Sequence, residues 1–270
     1  MLDVVAQPLS PWRRAWNVGA VRKAVVLIAL ALLWEAYARR LNNPLLFPTF
    51  VDTVKAFFSS IASGELPNAA RYTIELLLKG YAAGLAIAAL LTALASATRI
   101  GADLLETLTS MFNPLPSIAL LPLALIWFGL GEGSIIFVLI HAVLWAVALN
   151  TYSGFRAVSP TLRMVGQNYG LSKVGYVLRI LIPGAFPSIL TGLKVGWAFA
   201  WRTLIAAELV FGVSSGSGGL GWYIFEQKNQ LLIPNVFAGL LTVILLGLIV
   251  ENLIFRTIEN RTVRRWGMQV

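Results

Sequence analysis

The sequence predicts an all-α integral membrane protein with about six transmembrane helices and short cytoplasmic helices between them. Its composition is the first observation behind this prediction: of 270 residues, 58% are hydrophobic and 12% are charged. Soluble domains carry about a quarter charged residues. A chain with about half that share has too little polar surface to cover a soluble domain, so lipid must cover much of it.

Six apolar stretches are the second observation. A helix needs about 20 largely apolar residues to cross a bilayer, and the candidate spans are 24–38, 72–97, 104–128, 134–155, 184–211 and 234–255. The third span is interrupted by Pro114, Pro116 and Pro122. The first span is short and carries Glu35. Because no small-residue cleavage site follows it, we interpret it as an uncleaved anchor.

The distribution of basic residues is the third observation and predicts the orientation. Cytoplasmic loops retain an excess of lysine and arginine. With the N-terminus inside, 13 of the 21 basic residues fall on the inner side, 5 on the outer side and 3 within spans. Both termini are therefore predicted to be cytoplasmic, with a cytoplasmic segment at 1–23, a transmembrane domain at 24–256 and a cytoplasmic tail at 257–270. The net charge of +9 is then a topology signal, and no nucleic-acid partner is predicted.

Two segments outside the spans have distinctive sequences. Thr49, with Asp52 three residues later, is typical of a helix start. The apolar residues that follow recur at helical spacing, so a short helix is predicted along the outer membrane surface. The segment GVSSGSGGLGWY (212–223) is rich in glycine and is predicted to be a flexible loop.

The residues that enzymes and metal sites require are scarce. The chain has no cysteine and a single histidine, His141, which excludes disulfides, thiolate metal sites and a zinc site of several histidines. No strand is followed by a GK[ST] phosphate loop. We therefore predict no catalytic residue, no metal and no cofactor in this chain, and we expect it not to be an enzyme.

The longest cytoplasmic loop, 156–183, contains the basic, amphipathic stretch NYGLSKVGYVLRILIPGAFP. Ser159 followed by a proline predicts the start of a first short helix, because proline is well tolerated in the first turn. This helix should continue to about Tyr169, where Gly170 can supply the left-handed residue that ends it.

A second short helix is predicted to begin near Leu171 and to end at Pro183, because a proline ring clashes with the preceding turn of a helix. Its apolar residues share one face, which would either lie on anionic lipid or dock on a cytoplasmic partner. They are Leu171, Val174, Leu178 and Leu181.

The spacing in this loop resembles the loop signature of ABC-importer permeases, E-A-A-x₃-G-x₉-I-x-L-P. Nine residues separate Gly170 from ILIP (180–183), in which isoleucine replaces the usual leucine, and MVG (164–166) stands where E-A-A would. Further stretches are similar to the permeases for taurine, aliphatic sulfonates, nitrate and related solutes: LPLALIWFGLGEGS, LNTYSGFRAVSP, AAELVFG and SGGLGW. The resemblance covers the chain from about residue 45 to the C-terminus.

This resemblance implies a type I importer fold in a bacterial cytoplasmic membrane. Two permeases, commonly identical, would assemble with two ATP-hydrolysing subunits that bind ATP and magnesium, and with an external solute-binding protein. The loop would be the coupling loop, which is seated in a cleft of the ATPase. The residues implied in coupling are Tyr169, Gly170, Leu171, Ser172, Lys173, Val174, Leu178, Ile180 and Pro183.

Charged residues inside the predicted spans are candidates for the translocation path, because such residues usually face protein or water. Arg202 would suit an anionic solute such as a sulfonate, nitrate or carboxylate, although it could instead form an internal ion pair with Glu208. Glu75 and Lys79 lie four residues apart and are expected to pair. Lys194 is expected to extend towards the membrane interface.

Two other function classes were weighed. A self-contained secondary transporter or channel would also suit six spans, but it would transport without an ATPase and would leave the basic loop without a role. Inverted repeats with broken helices would favour it, and none is detected. A membrane-embedded enzyme would need clustered acidic or histidine side chains, which a lone His141 does not provide.

Overall fold

The computed structural model describes residues 16–211 and 218–268. Within these residues every regular element is a helix, which confirms the predicted all-α class. Part of the predicted N-terminal segment, residues 1–15, and half of the glycine-rich loop, residues 212–217, lie outside the described residues. The two C-terminal residues of the predicted tail also lie outside them.

Four helical segments are long and apolar enough to cross a membrane: Glu65–Ala97, Glu132–Ala157, Lys173–Val210 and Ile233–Arg261. They correspond to the second, fourth, fifth and sixth predicted spans. The chain is therefore a multi-pass membrane protein. The short helices and turns between these segments are described below where they bear on function.

The third predicted span is a bent pair of helices rather than one rod. Arg99–Phe112 and Ser117–Phe128 meet at 89°, so the chain turns sharply at 113–116, here called the bend. Pro114 and Pro116 cause this break because proline lacks a backbone N–H and its ring clashes with a preceding helical turn. If the bent pair counts as one span, the described residues contain five candidate membrane spans.

The first predicted span lies in helix α1, Gly19–Leu41. Helix α1 is not one of the four long apolar helices, because it carries charged residues near both of its ends. They are Arg22, Lys23, Glu35, Arg39 and Arg40. Of its residues only Ala38 is buried. Its C-terminal part is held by Trp34, whose indole N–H donates to the carbonyl oxygen of Pro48 at 2.9 Å. Most of α1 therefore presents apolar side chains to its surroundings.

Helix α2, Phe50–Ala62, confirms the helix predicted after Thr49. The Thr49 side chain accepts a hydrogen bond from the backbone N–H of Asp52 at 3.0 Å. On the other side of α2 the buried hydroxyl of Ser60 is 2.9 Å from that of Tyr223. Because Ser60 is buried and hydrogen-bonded, one face of α2 packs on protein, while Phe58 remains 63% exposed.

The core is formed by α3 (Glu65–Ala97), α6 (Glu132–Ala157) and α9 (Ile182–Phe211). Glycines let these helices approach closely, as small residues do in membrane proteins. A Cβ at Gly80 would lie 2.6 Å from the Cβ of Leu139, and one at Gly84 would lie 2.8 Å from that of Val143. Any larger side chain at either glycine would therefore force α3 and α6 apart.

The bent third span consists of α4, Arg99–Phe112, and α5, Leu121–Phe128, with a 3₁₀ turn at Ser117–Leu120 before α5. Two short helices, α7 (Pro160–Asn168) and α8 (Lys173–Tyr176), lie between α6 and α9. They form the predicted cytoplasmic loop.

The remaining helices follow α9. They are α10 (Leu220–Asn229), α11 (Ile233–Ile249) and α12 (Arg256–Arg261), and a π-helical segment, Val250–Phe255, joins the last two. The chain after α12 folds back on α9, since Val263 is buried against Leu190. Lys194 forms an ion pair with Glu259 at 2.6 Å. This contact fixes the Lys194 side chain to the C-terminal segment, and its position relative to the membrane stays a prediction.

Candidate coupling loop and membrane cavity

The first helix of the coupling loop, residues 156–183, is built as predicted. The Ser159 hydroxyl accepts from the backbone N–H of Leu162 at 3.3 Å, and a proline occupies the first turn of α7. After α7 the chain turns at Gly170, whose φ of 61° lies in the left-handed region. Glycine adopts this conformation without the steric penalty that a Cβ imposes. Tyr169, beside it, is 81% exposed.

The prediction that Pro183 ends the second helix was wrong. The helix that begins at Lys173, where the Ser172 hydroxyl accepts from the N–H of Gly175 at 3.1 Å, continues through Pro183 to Val210. The reason is a π-helical segment at Val177–Leu181, in which the N–H of Ile182 donates to the carbonyl five residues back. The wider turn changes the register ahead of the proline, so its ring is accommodated without ending the helix. The second helix of the loop and the fifth span are therefore one continuous helix.

The residues of the predicted apolar face of this second helix differ in their exposure. Val174 is 68% exposed and Leu178 is 59% exposed, whereas Leu181 is buried. Leu181 packs with Phe155 and Ala185 in a small separate core. Within the loop part of this helix, residues 173–183, Val174 and Leu178 are thus the two apolar side chains that remain available to a partner.

The other predicted coupling residues divide in the same way. Tyr169, Gly170, Ser172 and Lys173 are exposed, while Leu171, Ile180 and Pro183 are half-buried. The exposed residues lie around the turn and at the start of the second helix. Of the half-buried ones, Ile180 packs against the core that contains Phe155 and Leu181.

The two helices of the loop are fixed to each other and to α6. A Cβ at Gly166 would lie only 2.8 Å from the Tyr176 ring, so the helices touch at this glycine. Arg163 donates hydrogen bonds to the carbonyl oxygens of Phe155 and Val158 at the end of α6. The sequence analysis missed Arg163, although a basic residue four positions after Ser159 is well placed to reach the preceding turn.

A cavity of about 310 Å³ lies where the bend meets α6 and α9. The bend contributes 113–116 with the two residues that follow it. His141 and Trp145 line the cavity from α6, and Phe199, Arg202, Thr203 and Ala206 line it from α9. Its polar side chains lie within membrane-spanning segments, where uncompensated polar groups are unfavourable and usually mark a function.

Arg202, which the sequence predicts to be a translocation-path residue, lines this cavity. Its Nε donates to the carbonyl oxygen of Ala198 at 3.0 Å, and its guanidinium lies 5.3 Å from the centre of the Phe199 ring. Among the described residues it forms no ion pair. Its positive charge is therefore available to a ligand in the cavity.

Glu208 does not line the cavity and does not pair with Arg202. The two are six positions apart, which places them on different faces of α9. Glu208 is 2% exposed and accepts hydrogen bonds from the Thr73 hydroxyl at 2.9 Å and from the backbone N–H of Gly221 at 2.8 Å. We call this arrangement of Thr73, Glu208 and the Gly221 N–H the carboxylate clamp. It joins α3, α9 and α10.

The carboxylate clamp explains two glycines of SGGLGW (217–222), Gly219 and Gly221, where a Cβ would meet Glu208. Thr73 also accepts from the backbone N–H of Leu220 at 2.8 Å, so the chain before α10 lies directly on the clamp. A Cβ at Gly219 would collide with the Glu208 carboxylate and the Thr73 hydroxyl. The sequence analysis missed Thr73 because a threonine in an apolar span has no signature of its own.

The expected ion pair between Glu75 and Lys79 is not formed. Glu75 pairs with Arg71, and Lys79 pairs with Glu132 at the start of α6, each at 2.7 Å. Lys79 thus connects two spans instead of neutralising a residue of its own helix. Sequence spacing alone could not choose between these partners, because Glu132 comes close to Lys79 only through the packing of α3 on α6.

The sequence of the chain matches a known protein family. The sequence profile of the binding-protein-dependent transport system inner membrane component covers residues 80–264. The chain belongs to this family. The resemblance to ABC-importer permeases and the type I permease fold are therefore confirmed.

Individual relatives agree with the family. A protein of Methanocaldococcus jannaschii named as an ABC transporter permease is 31% identical over 84% of this chain and 86% of its own length. An Escherichia coli protein named as an aliphatic sulfonates transport permease is 30% identical over 75% of each chain. The nitrate import permease of Synechocystis is 28% identical over 91% of this chain and 90% of its own length.

Proposed function

We propose that this chain is the transmembrane permease subunit of an ATP-binding-cassette importer that carries a small anionic solute and is driven by a separate ATPase. The observation that carries the proposal is the unbroken helix Lys173–Val210, which exposes Val174 and Leu178 in the coupling loop and Arg202 at the membrane cavity. A single rigid element thus connects a surface suited to a partner with the candidate path.

The mechanism follows from this connection. The chain has no phosphate loop, so it can use ATP only by being moved by a subunit that hydrolyses it. Closure of two ATPase subunits would bring two docked coupling loops together. Because α8 continues into the fifth span, that displacement would tilt the span and change which side of the membrane the cavity faces.

The complete assembly would contain two copies of the permease, two ATPases with bound ATP and magnesium, and an external solute-binding protein. We take the two permease copies to be identical, and we place both termini in the cytoplasm at the inner membrane of a bacterium. Names of relatives support the solute class, since those proteins are described as permeases for aliphatic sulfonates and for nitrate. A self-contained transporter is the alternative, and it would not need the exposed loop.

Replacing Arg202 by glutamine should lower ATP-driven uptake of a sulfonate or nitrate by at least tenfold, because it removes the unpaired positive charge at the cavity. Arg202→Lys keeps the charge and should retain more uptake than Arg202→Gln. Uptake is measured in proteoliposomes that contain the permease, its ATPase and the solute-binding protein. Equal uptake by the glutamine variant and the unmodified chain would exclude Arg202 from the path.

A further inference from the structure

Two buried ring nitrogens in the membrane cavity lack hydrogen-bond partners among the described residues. His141 and Trp145 lie four residues apart on α6, so they share one face of the helix, and both line the cavity that Arg202 also lines. His141 Nε2 and Trp145 Nε1 are buried, and neither has a hydrogen-bond partner among the described residues. A buried polar group without a partner is unfavourable, so these two atoms call for a functional explanation.

The Ser117 hydroxyl sets the chemistry of the histidine. It lies 3.1 Å from His141 Nδ1. We assign the hydroxyl as the donor, which places the proton of the neutral imidazole on Nε2 and makes Nε2 a hydrogen-bond donor. The indole N–H of Trp145 can only donate. The two buried groups therefore need an acceptor, and a cation or a second donor would not satisfy them.

An aromatic ring next to the bend packs against both His141 and Trp145. Phe112 stacks on Trp145 with ring centres 5.6 Å apart and an angle of 12° between the planes. It also stands edge-on to His141 at 6.3 Å. Phe112 is the last residue before the bend at 113–116, so a movement of the bend would displace this ring from His141 and Trp145.

We propose that His141 and Trp145 bind the oxygen atoms of an oxyanion in the cavity when the bend moves, while Arg202 supplies the opposite charge. The ligand class is a compact oxyanion such as a sulfonate or nitrate, whose several oxygens can accept from both N–H groups. This inference rests on the proposed function and makes it more specific, since it assigns the selection of oxyanions to α6. In this proposal Ser117 is a positioning residue, because its hydroxyl fixes the tautomer of the His141 imidazole.

The single histidine of the chain permits a direct test. The permease is labelled with ¹⁵N-histidine, carries no histidine tag and is reconstituted in liposomes with its unlabelled partner subunits. The Nε2 resonance is followed by solid-state NMR during titration with methanesulfonate or nitrate, and with tetramethylammonium chloride at equal ionic strength. We expect a saturable change in the Nε2 resonance with both oxyanions and none with the tetramethylammonium salt.

Three variants sharpen the result. Trp145→Phe should raise the half-saturating concentration of methanesulfonate roughly five- to tenfold, the effect of one lost hydrogen bond. Trp266→Phe, which replaces an indole outside the cavity that contacts Phe186, should leave it unchanged. Ser117→Ala should alter the Nδ1 and Nε2 resonances before any anion is added, because the hydroxyl no longer fixes the tautomer.

Failure of this inference is distinguishable from failure of the proposed function. An Nε2 resonance that does not respond to either oxyanion, in a preparation whose ATP-driven uptake is intact, would overturn the inference and leave the importer function in place. A response of equal size to tetramethylammonium chloride would also overturn it. An unchanged half-saturating concentration in Trp145→Phe would contradict the role of the indole.

Discussion

Replacing both Val174 and Leu178 by aspartate should reduce uptake to the background level while the chain still inserts into the membrane. These side chains are 68% and 59% exposed and are the apolar residues of the second loop helix that a partner could bury. Burial of each is worth about 1.5–3 kcal/mol, and two carboxylates in an apolar cleft would add a desolvation penalty. Co-purification of the ATPase and ATP-driven uptake are both measured.

Matched variants separate the apolar contact from the shape of the loop. Val174→Leu combined with Leu178→Met keeps the apolar surface and should retain binding of the ATPase. At the turn, Gly170→Val should uncouple ATP hydrolysis from uptake, because a β-branched residue is strained at a φ of 61°. Gly170→Asn should be much closer to the unmodified chain, since asparagine tolerates this conformation. Wild-type uptake by the double aspartate variant would contradict the assignment of the loop.

The second large effect is expected at the carboxylate clamp. Glu208→Ala leaves the Thr73 hydroxyl and the Gly221 N–H without their buried acceptor, and each unsatisfied group costs about 1–3 kcal/mol. We expect a clear fall in the thermal unfolding midpoint of the purified protein and a loss of most uptake, because α10 is no longer fixed to α3 and α9.

Two further variants serve as controls: one keeps the shape of the Glu208 side chain without its charge, and the other removes a carboxylate elsewhere in the chain. Glu208→Gln keeps an acceptor oxygen and nearly the same shape, so it should fall between Glu208→Ala and the unmodified chain. Glu106→Ala removes an exposed carboxylate that pairs with Arg156 at 3.2 Å, and exposed pairs contribute at most about 1 kcal/mol. If Glu208→Ala were as stable as Glu106→Ala, the clamp would have no structural role.

Features that follow from local sequence were predictable. The apolar spans, the helix starts at Thr49 and Ser159, and the left-handed turn at Gly170 each depend on residues adjacent in the chain. The interruption of the third span also follows from Pro114 and Pro116, which cannot continue a helix. The coupling loop could be predicted for the same reason, because its motif lies within one short segment.

Features that depend on how spans pack were not predictable from spacing. The pairing of Lys79 with Glu132 and the burial of Glu208 against Thr73 both join residues more than fifty positions apart. Pro183 was misleading because a π-helical segment before it offsets the local rule that proline ends a helix. The hydrogen bond between Ser117 and His141 likewise required the bend to bring the two residues together.

Reconstitution of the purified chain with and without its ATPase tests the central claim most directly. Uptake of a sulfonate or nitrate into proteoliposomes is measured for the permease alone and for the complete assembly, with ATP or with a non-hydrolysable analogue. The account predicts uptake only when the ATPase, hydrolysable ATP and the solute-binding protein are all present. Equal uptake by the permease alone would show a self-contained transporter and would contradict the account.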